Sequence, residues 1–181
     1  VSYGEQVKLA QGMPIFVTGA QDNDYKITVD QLEAARTEKT KAIIINSPSN
    51  PTGMIYTEDE LREIGEWAVR HELLIVSDDI VYNGNEAPHM ASLSDEIFHH
   101  TMIINGVSKT YSMTGWRIGY AIGNAEIIGG MTSIASQATS NPTSVSQVAA
   151  VEALTGEQET AEKMRQAFEA RLNTIYPKVA D

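Results

Sequence analysis

Residues 108 to 117 read SKTYSMTGWR, which places Lys109 and Arg117 in one run of small and hydroxyl residues. Two further polar groups follow apolar runs: NSPSNPTG, from Asn46 to Gly53, and Ser77-Asp78-Asp79. Each alone has a bland explanation. Ser, Pro, Asn and Gly favour turns, aspartates at a strand end can cap backbone amides, and Lys109 and Arg117 could be solvated charges. Together they offer an amine, a guanidinium, a carboxylate and an amide. An amine on a rigid element can form a Schiff base with an aldehyde once its pKa falls from the free value of about 10.4. A guanidinium suits phosphate through paired, charge-assisted hydrogen bonds. A buried carboxylate can hold a heteroaromatic nitrogen protonated, which makes the ring an electron sink. Aldehyde, phosphate and pyridine nitrogen together describe pyridoxal 5′-phosphate.

Such a set needs a scaffold that brings distant segments to one edge. Pro14 to Val17, Ala42 to Asn46, Leu73 to Ser77 and Thr101 to Asn105 are short, β-branched-rich runs without in–out alternation, as expected of strands buried on both faces of a parallel sheet. Arg117 to Gly123 is a fifth candidate. Between them, Thr57 to Arg70 reads as a helix: Thr57 and Glu60 form a capping box, and Leu61, Ile64, Trp67 and Ala68 share one face. A second helix is predicted from a cap at Asp30 to Arg36. A third is predicted after Asn141-Pro142, with Val145, Val148 and Ala149 facing inward, and a charged fourth from Glu157 to about Asn173, with Met164, Phe168 and Leu172 on one side. Strand–helix–strand alternation argues for a layered α/β domain whose ligands sit beyond the carboxyl ends of the strands. The three polar clusters would then surround one crevice.

Composition narrows the field. A net charge of −11, spread along the chain without a basic stripe, argues against a nucleic-acid partner. The absence of cysteine excludes a disulfide scaffold, thiolate metal sites and thiol catalysis. No stretch has the length of a membrane-spanning helix and no signal peptide is evident, so a soluble, cytoplasmic protein without a membrane partner is expected. His99-His100 lacks companions at ligand spacing, and no metal is expected. Trp116 reads as packing beside the lysine loop. SNPTS, Ser140 to Ser144, reads equally well as a helix cap or an interface segment. The chain opens on Val1 and ends at Asp181 without a terminal signal, in the manner of an excised fragment.

The stretches GVSKTYSMTGWRIG (Gly106 to Gly119), NSPSNPTG and LIVSDD resemble three hallmarks of the class I/II, fold-type I pyridoxal-phosphate-dependent aminotransferases, and of their bacterial aspartate aminotransferase branch most of all. The likeness runs from VSYGEQVKLA to RLNTIYPK, with the hallmarks in the family's order. It implies a three-layer large domain with a mostly parallel sheet flanked by helices. Residues 1–156 would be the cofactor-binding core without the family's N-terminal part, and 157–181 a helix leading towards a small C-terminal domain. Lys109 is implied to hold the cofactor as a Schiff base and to move the substrate's α-proton. Asp78 would pair with the ring nitrogen, Asn50 would address the ring hydroxyl, and Arg117 would grip the phosphate. The implied reaction moves an amino group from an amino acid, aspartate, to a 2-oxo acid, in a homodimer. A carbon–sulfur β-lyase using the same residues is the alternative enzyme, and an inactive fragment serving only as a binding domain is the alternative of another class.

Two departures from the family stand out. Many relatives have serine three residues before the lysine, where this chain has Gly106. The family also expects tyrosine three residues after the aspartate, whereas Val81 follows Asp78 at that distance and Tyr82 follows Asp79. Either the register shifts by one, or residues are missing between Ile80 and Val81. The second reading is favoured because the Asp78-to-Lys109 interval is also short for the family.

Overall fold

The computed structural model describes residues 2–79 and 87–179, so the expectations for Val81, Tyr82 and the Ile80–Val81 peptide lie outside the described residues. In chain order the elements are α1 (Ser2–Leu9), α2 (Val29–Ala35), β1 (Ala42–Ser47), α3 (Glu58–Arg70), β2 (Leu74–Asp79), α4 (Asp95–His100), β3 (Thr101–Gly106), β4 (Gly119–Ile122), α5 (Ala125–Ala138), α6 (Ser144–Thr155) and α7 (Glu159–Val179). The four strands form one sheet in the order β1-β2-β3-β4, with β1·β2 and β2·β3 parallel. This is the α/β layering expected from the sequence.

The chain divides into two compact units. The described part of the first comprises residues 2–79, 87–104 and 121–131; that of the second comprises 105–120 and 132–179.

The first unit is organised by α3. Thr57 accepts from the Glu60 amide while the Glu60 side chain accepts from the Thr57 amide at 2.7 Å, completing the expected capping box. Such a cap contributes about 1 kcal/mol. Glu60 also pairs with Lys26 at 2.7 Å. Burial pushes its carboxyl up, but Lys26 and the Thr57 amide outweigh that and hold it below the ordinary range. Leu61, Ile64, Trp67 and Ala68 are all buried, packed with Ile45 of β1, Ile75 of β2 and Ile97 of α4. Each of the large side chains contributes roughly 1.5–3 kcal/mol through removal from water. Gly65 permits the close approach of α4, since a β-carbon there would lie 2.7 Å from Ile97 Cδ1.

Glu33 ties α2 to α3. Its carboxylate accepts from Arg36 Nη2 at 2.6 Å and Nε at 2.9 Å, from Trp67 Nε1 at 2.8 Å, and lies 3.2 Å from His71 Nε2. The Arg36 hydrogen bonds, with that from Trp67, lower its pKa from 4.5 to about 2. A carboxyl depressed on folding stabilises the native state above its unfolded pKa and loses that contribution as pH falls through the folded value. Thermal unfolding of the wild type and Glu33→Gln is therefore expected to differ at pH 6, with the difference closing between about pH 4.5 and pH 2. A gap unchanged over that window would show that Glu33 acts through shape alone.

Several expectations are corrected. Pro14 to Val17 forms no strand: Ile15 and Phe16 are exposed, and only Val17 packs on the first core. A four-residue apolar run becomes a strand only where a neighbour completes its hydrogen bonds, and the described sheet runs β1 to β4 without it. The cap of α2 is Thr28, in a capping box with Gln31, and Asp30 lies within the first turn. The cap of α6 is Thr143, whose hydroxyl accepts from the Ser146 amide, while Asn141 donates to the Pro142 carbonyl. Val145 and Val148 face outward at 69% and 70% exposure, because Ala150 is the residue that α6 buries. Two positions along a helix is about 200° of rotation, which carries Val148 to the far side. The sheet is also less symmetric than expected: Ile45 and Ser47 of β1 are buried, while Ile44, pointing the other way, is 38% exposed.

The second unit has its own small core, in which Val107, Ile118 and Ala150 are buried with Tyr111 and Met113 against them. Among the described residues no helix is long and apolar enough to cross a membrane.

Candidate active site

Strand alternation decides which side chains of the first unit are available for chemistry. Ile45 and Ser47 of β1, and Ile75 and Ser77 of β2, are buried, and both isoleucines belong to the α3 core. Their neighbours Asn46 and Asp78 therefore project from the opposite face. The parallel register sets Asn46 opposite Asp78. Asn46 Nδ2 donates to the Asp78 carbonyl oxygen at 2.9 Å, and Asn46 Oδ1 accepts the Asn50 amide at 3.1 Å. One side-chain amide thus uses both of its ends to join the strand that carries Asp78 to the loop that carries Asn50.

That loop is a tight turn. The Ser49 amide donates to the Met54 carbonyl at 2.9 Å and the Gly53 amide to the Ser49 carbonyl at 2.7 Å, with Gly53 at φ 71°, a conformation that favours glycine. The Ser47–Pro48 and Asn50–Pro51 peptides are cis. The turn reading of NSPSNPTG is therefore correct as local structure, and the same turn leaves the Asn50 side chain exposed at the end of β1.

Asp78 is half-buried, and its carboxylate has a partner that comes from far along the sequence. The Tyr3 hydroxyl, in the first turn of α1, donates to Asp78 Oδ2. Burial, then this hydrogen bond and the carboxylate's charge, push the Tyr3 phenol above its ordinary value.

The second unit holds the other two predicted residues on one loop. Val107, fully buried, anchors its start, and Ile118 its end. Between them the Tyr111 amide donates to the Val107 carbonyl at 3.3 Å, Ser112 to Lys109 at 3.2 Å and Met113 to Ser108 at 3.1 Å. Ser112 and Arg117 take φ values of 54° and 55°, reversing the chain on either side of a 3-10 turn at Thr114–Trp116. Arg117 Nη1 donates to the Thr114 carbonyl at 3.1 Å, and Lys109 and Arg117 are both exposed. Small and hydroxyl residues between the two cations thus serve a compact, self-hydrogen-bonded turn. Gly106 has a local reason as well: a β-carbon there would lie 2.9 Å from the Ile118 carbonyl oxygen, so the serine of many relatives would force the backbone apart.

The structure thus places Asn50 and Asp78 in the first unit, joined through Asn46, and Lys109 and Arg117 on one loop of the second. Trp116, on that loop, is partly exposed. His100 Nδ1 lies 3.0 Å from the Glu96 carbonyl oxygen, and His99 packs edge-on to Phe98. Among the described residues no group of three or more metal-ligating side chains gathers.

The family model for aminotransferase class I and II matches residues 1–181, and the chain belongs to that family. It is 59% identical over 184 residues to an asparagine–oxo-acid transaminase of Streptococcus mutans, with 99% of this chain and 47% of the relative covered. It is 57% identical over 184 residues to an aspartate aminotransferase of Bacillus sp. strain YM-2, with the same coverage. Among solved structures, an aromatic aminotransferase from Pyrococcus horikoshii superposes with a TM-score of 0.91 at 35% identity, covering 99% of this chain and 50% of that one. An aspartate aminotransferase from Thermus thermophilus with maleate gives 0.89 at 34%, covering 99% and 48%. The chain spans about half the length of the curated relatives it matches.

Pyridoxal 5′-phosphate is the cofactor of this family, and the chemistry of Asp78 in the first unit fits it. Asp78 is an acceptor fixed at both its carbonyl and its carboxylate, as a protonated ring nitrogen requires. Sequence reading missed Tyr3 altogether and saw Asn46 only as part of a turn-forming cluster. Tyr3 has no local signature, since its partner lies 75 residues away. Asn46 could have been found as the strand-end polar residue in register with Asp78, had the parallel pairing been drawn out.

Proposed function

We propose that this chain carries the cofactor-binding part of a pyridoxal-phosphate-dependent aminotransferase that moves the amino group of aspartate to a 2-oxo acid. The observation that carries the reading is the Asn46 amide joining Asp78 to the Asn50 loop, which fixes a carboxylate and an amide at adjacent strand ends. When bound, the cofactor supplies an electron sink for negative charge developing at the substrate's α-carbon.

The chain's own residues then have separate tasks. Asp78 holds the proton on the ring nitrogen, the condition for that sink. Asn50 donates to the ring hydroxyl oxygen. Arg117 anchors the phosphate with charge-assisted hydrogen bonds. Lys109 would hold the cofactor's aldehyde end and, as a free amine, would move the proton at the substrate's α-carbon.

Residues 1–156 are proposed as the large-domain core, and 157–181 as the helix leading to a small domain. A homodimer and a cytoplasmic location are proposed on the family likeness. Aspartate is favoured because the relatives from Bacillus sp. strain YM-2, Bacillus subtilis and Geobacillus stearothermophilus bear its name at 56% to 58% identity. The full-length protein is expected to form glutamate from aspartate and 2-oxoglutarate. Asparagine as the better donor would revise the substrate, and pyruvate and ammonia released from cysteine-like substrates without any oxo acid would replace the reaction by β-elimination.

A further inference from the structure

The two ends of the Asn46 side chain are engaged by different segments. Its Nδ2 meets an atom that can only accept, the Asp78 carbonyl oxygen, and its Oδ1 meets one that can only donate, the Asn50 amide. The partners therefore fix which way the amide points. A turn cap would need only the second bond. The first reaches across to the neighbouring strand, where the register sets Asn46 opposite Asp78. Within the turn, Pro48 and Pro51 have no amide hydrogen to give. The bonds of Ser49 and Gly53 close inside it, so they shape the turn without placing it on the sheet.

We propose that Asn46 is a positioning residue that couples the two ring contacts, setting where Asn50 meets the ring hydroxyl relative to where Asp78 meets the ring nitrogen. The inference rests on the cofactor reading of Asp78 and Asn50 given above, and goes beyond it by assigning their spacing to a third residue. A rigid ring offers its nitrogen and its hydroxyl at one separation, so both groups contribute fully only when held to match. Asparagine is the residue this position needs. Aspartate would keep an acceptor for the Asn50 amide but set a negative charge against the Asp78 carbonyl, and leucine would keep the volume and lose both bonds. Removal of an outer residue that orients an inner one typically weakens ligand binding by roughly 10- to 100-fold.

The test is a double-mutant cycle between Asn46 and Asn50 in the full-length apo-protein, read as the dissociation constant for added pyridoxal 5′-phosphate by absorbance titration. Thermal unfolding of each apo-variant reports damage to the fold. Asn46→Leu is expected to bind roughly tenfold more weakly. Asn46→Ala, which also lacks both bonds, serves the same comparison if leucine lowers the apo unfolding temperature. In either background Asn50→Ala is expected to cost little more, because the amide it removes is already out of place. Asn46→Asp keeps the bond to the Asn50 loop, so there Asn50→Ala is expected to retain its cost. A general loosening of the fold would lower affinity without that difference between backgrounds. Wild-type affinity in Asn46→Leu, or losses that multiply when Asn50→Ala is added to it, would overturn the coupling while leaving the cofactor reading intact. Wild-type affinity in Asn50→Ala, or failure of the wild type to bind the cofactor at all, would overturn the cofactor reading and the coupling with it.

Discussion

Lys109→Ala in the full-length protein is expected to lose amino transfer by on the order of 10⁴-fold, because on the proposed reading one amine both binds the cofactor's aldehyde and moves the α-proton. The fold is expected to survive the change. Lys109 is exposed on its turn, and the anchors of that turn are Val107 and Ile118, not the lysine stem. Lys109→Arg separates chemistry from charge: a guanidinium keeps the positive charge but stays protonated at any working pH and forms no Schiff base. Both variants should therefore be equally inactive in a coupled assay for oxaloacetate formation from aspartate. A Lys109→Arg variant within tenfold of wild type would show that the residue supplies electrostatics only.

Asp78→Asn is the second large effect. The amide has the same shape, and its oxygen can still accept from Tyr3, so geometry is conserved while the charge opposite the ring nitrogen is lost. Removing one member of a buried charged pair costs about 3–5 kcal/mol, or roughly 10²- to 10⁴-fold in rate. The loss is expected in kcat more than in KM, since the charge matters most as the α-carbon gives up its proton. Steady-state kinetics on the loaded enzyme checks this. A loss confined to KM would place Asp78 in substrate binding and remove it from the ring nitrogen.

The roles proposed for these two residues rest on chemistry written locally: a lysine in a glycine- and hydroxyl-rich turn, and an aspartate at the end of an apolar run. The helix α3 was legible for a similar reason, since its cap, acidic first turn and apolar face lie within one contiguous segment. What could not be read depends on partners elsewhere. Pro14 to Val17 has the composition of a strand, but strands are completed by neighbours, and the described sheet ends at β1. The helix α5 was not foreseen, for it contains Gly129-Gly130, each costing about 1 kcal/mol against alanine in a helix interior, and buries no residue that would mark its face. The caps of α2 and α6 were misplaced by two residues each because Asp30 and Asn141 are capping types at least as good as threonine. The selection of Thr28 and Thr143 is a matter of where each chain enters its helix. Tyr3 follows the same rule at the site itself: a tyrosine among polar residues says nothing until the fold brings it to Asp78.

Lys109 is proposed to hold the cofactor, and the point of attachment can be read directly. The full-length protein is loaded with pyridoxal 5′-phosphate, reduced with borohydride to make any Schiff base permanent, digested, and the modified peptide located by mass spectrometry. The label is expected on the peptide containing Lys109. Label instead on Lys8, Lys26, Lys39, Lys41, Lys163 or Lys178, or no stable label on this chain at all, would contradict the assignment.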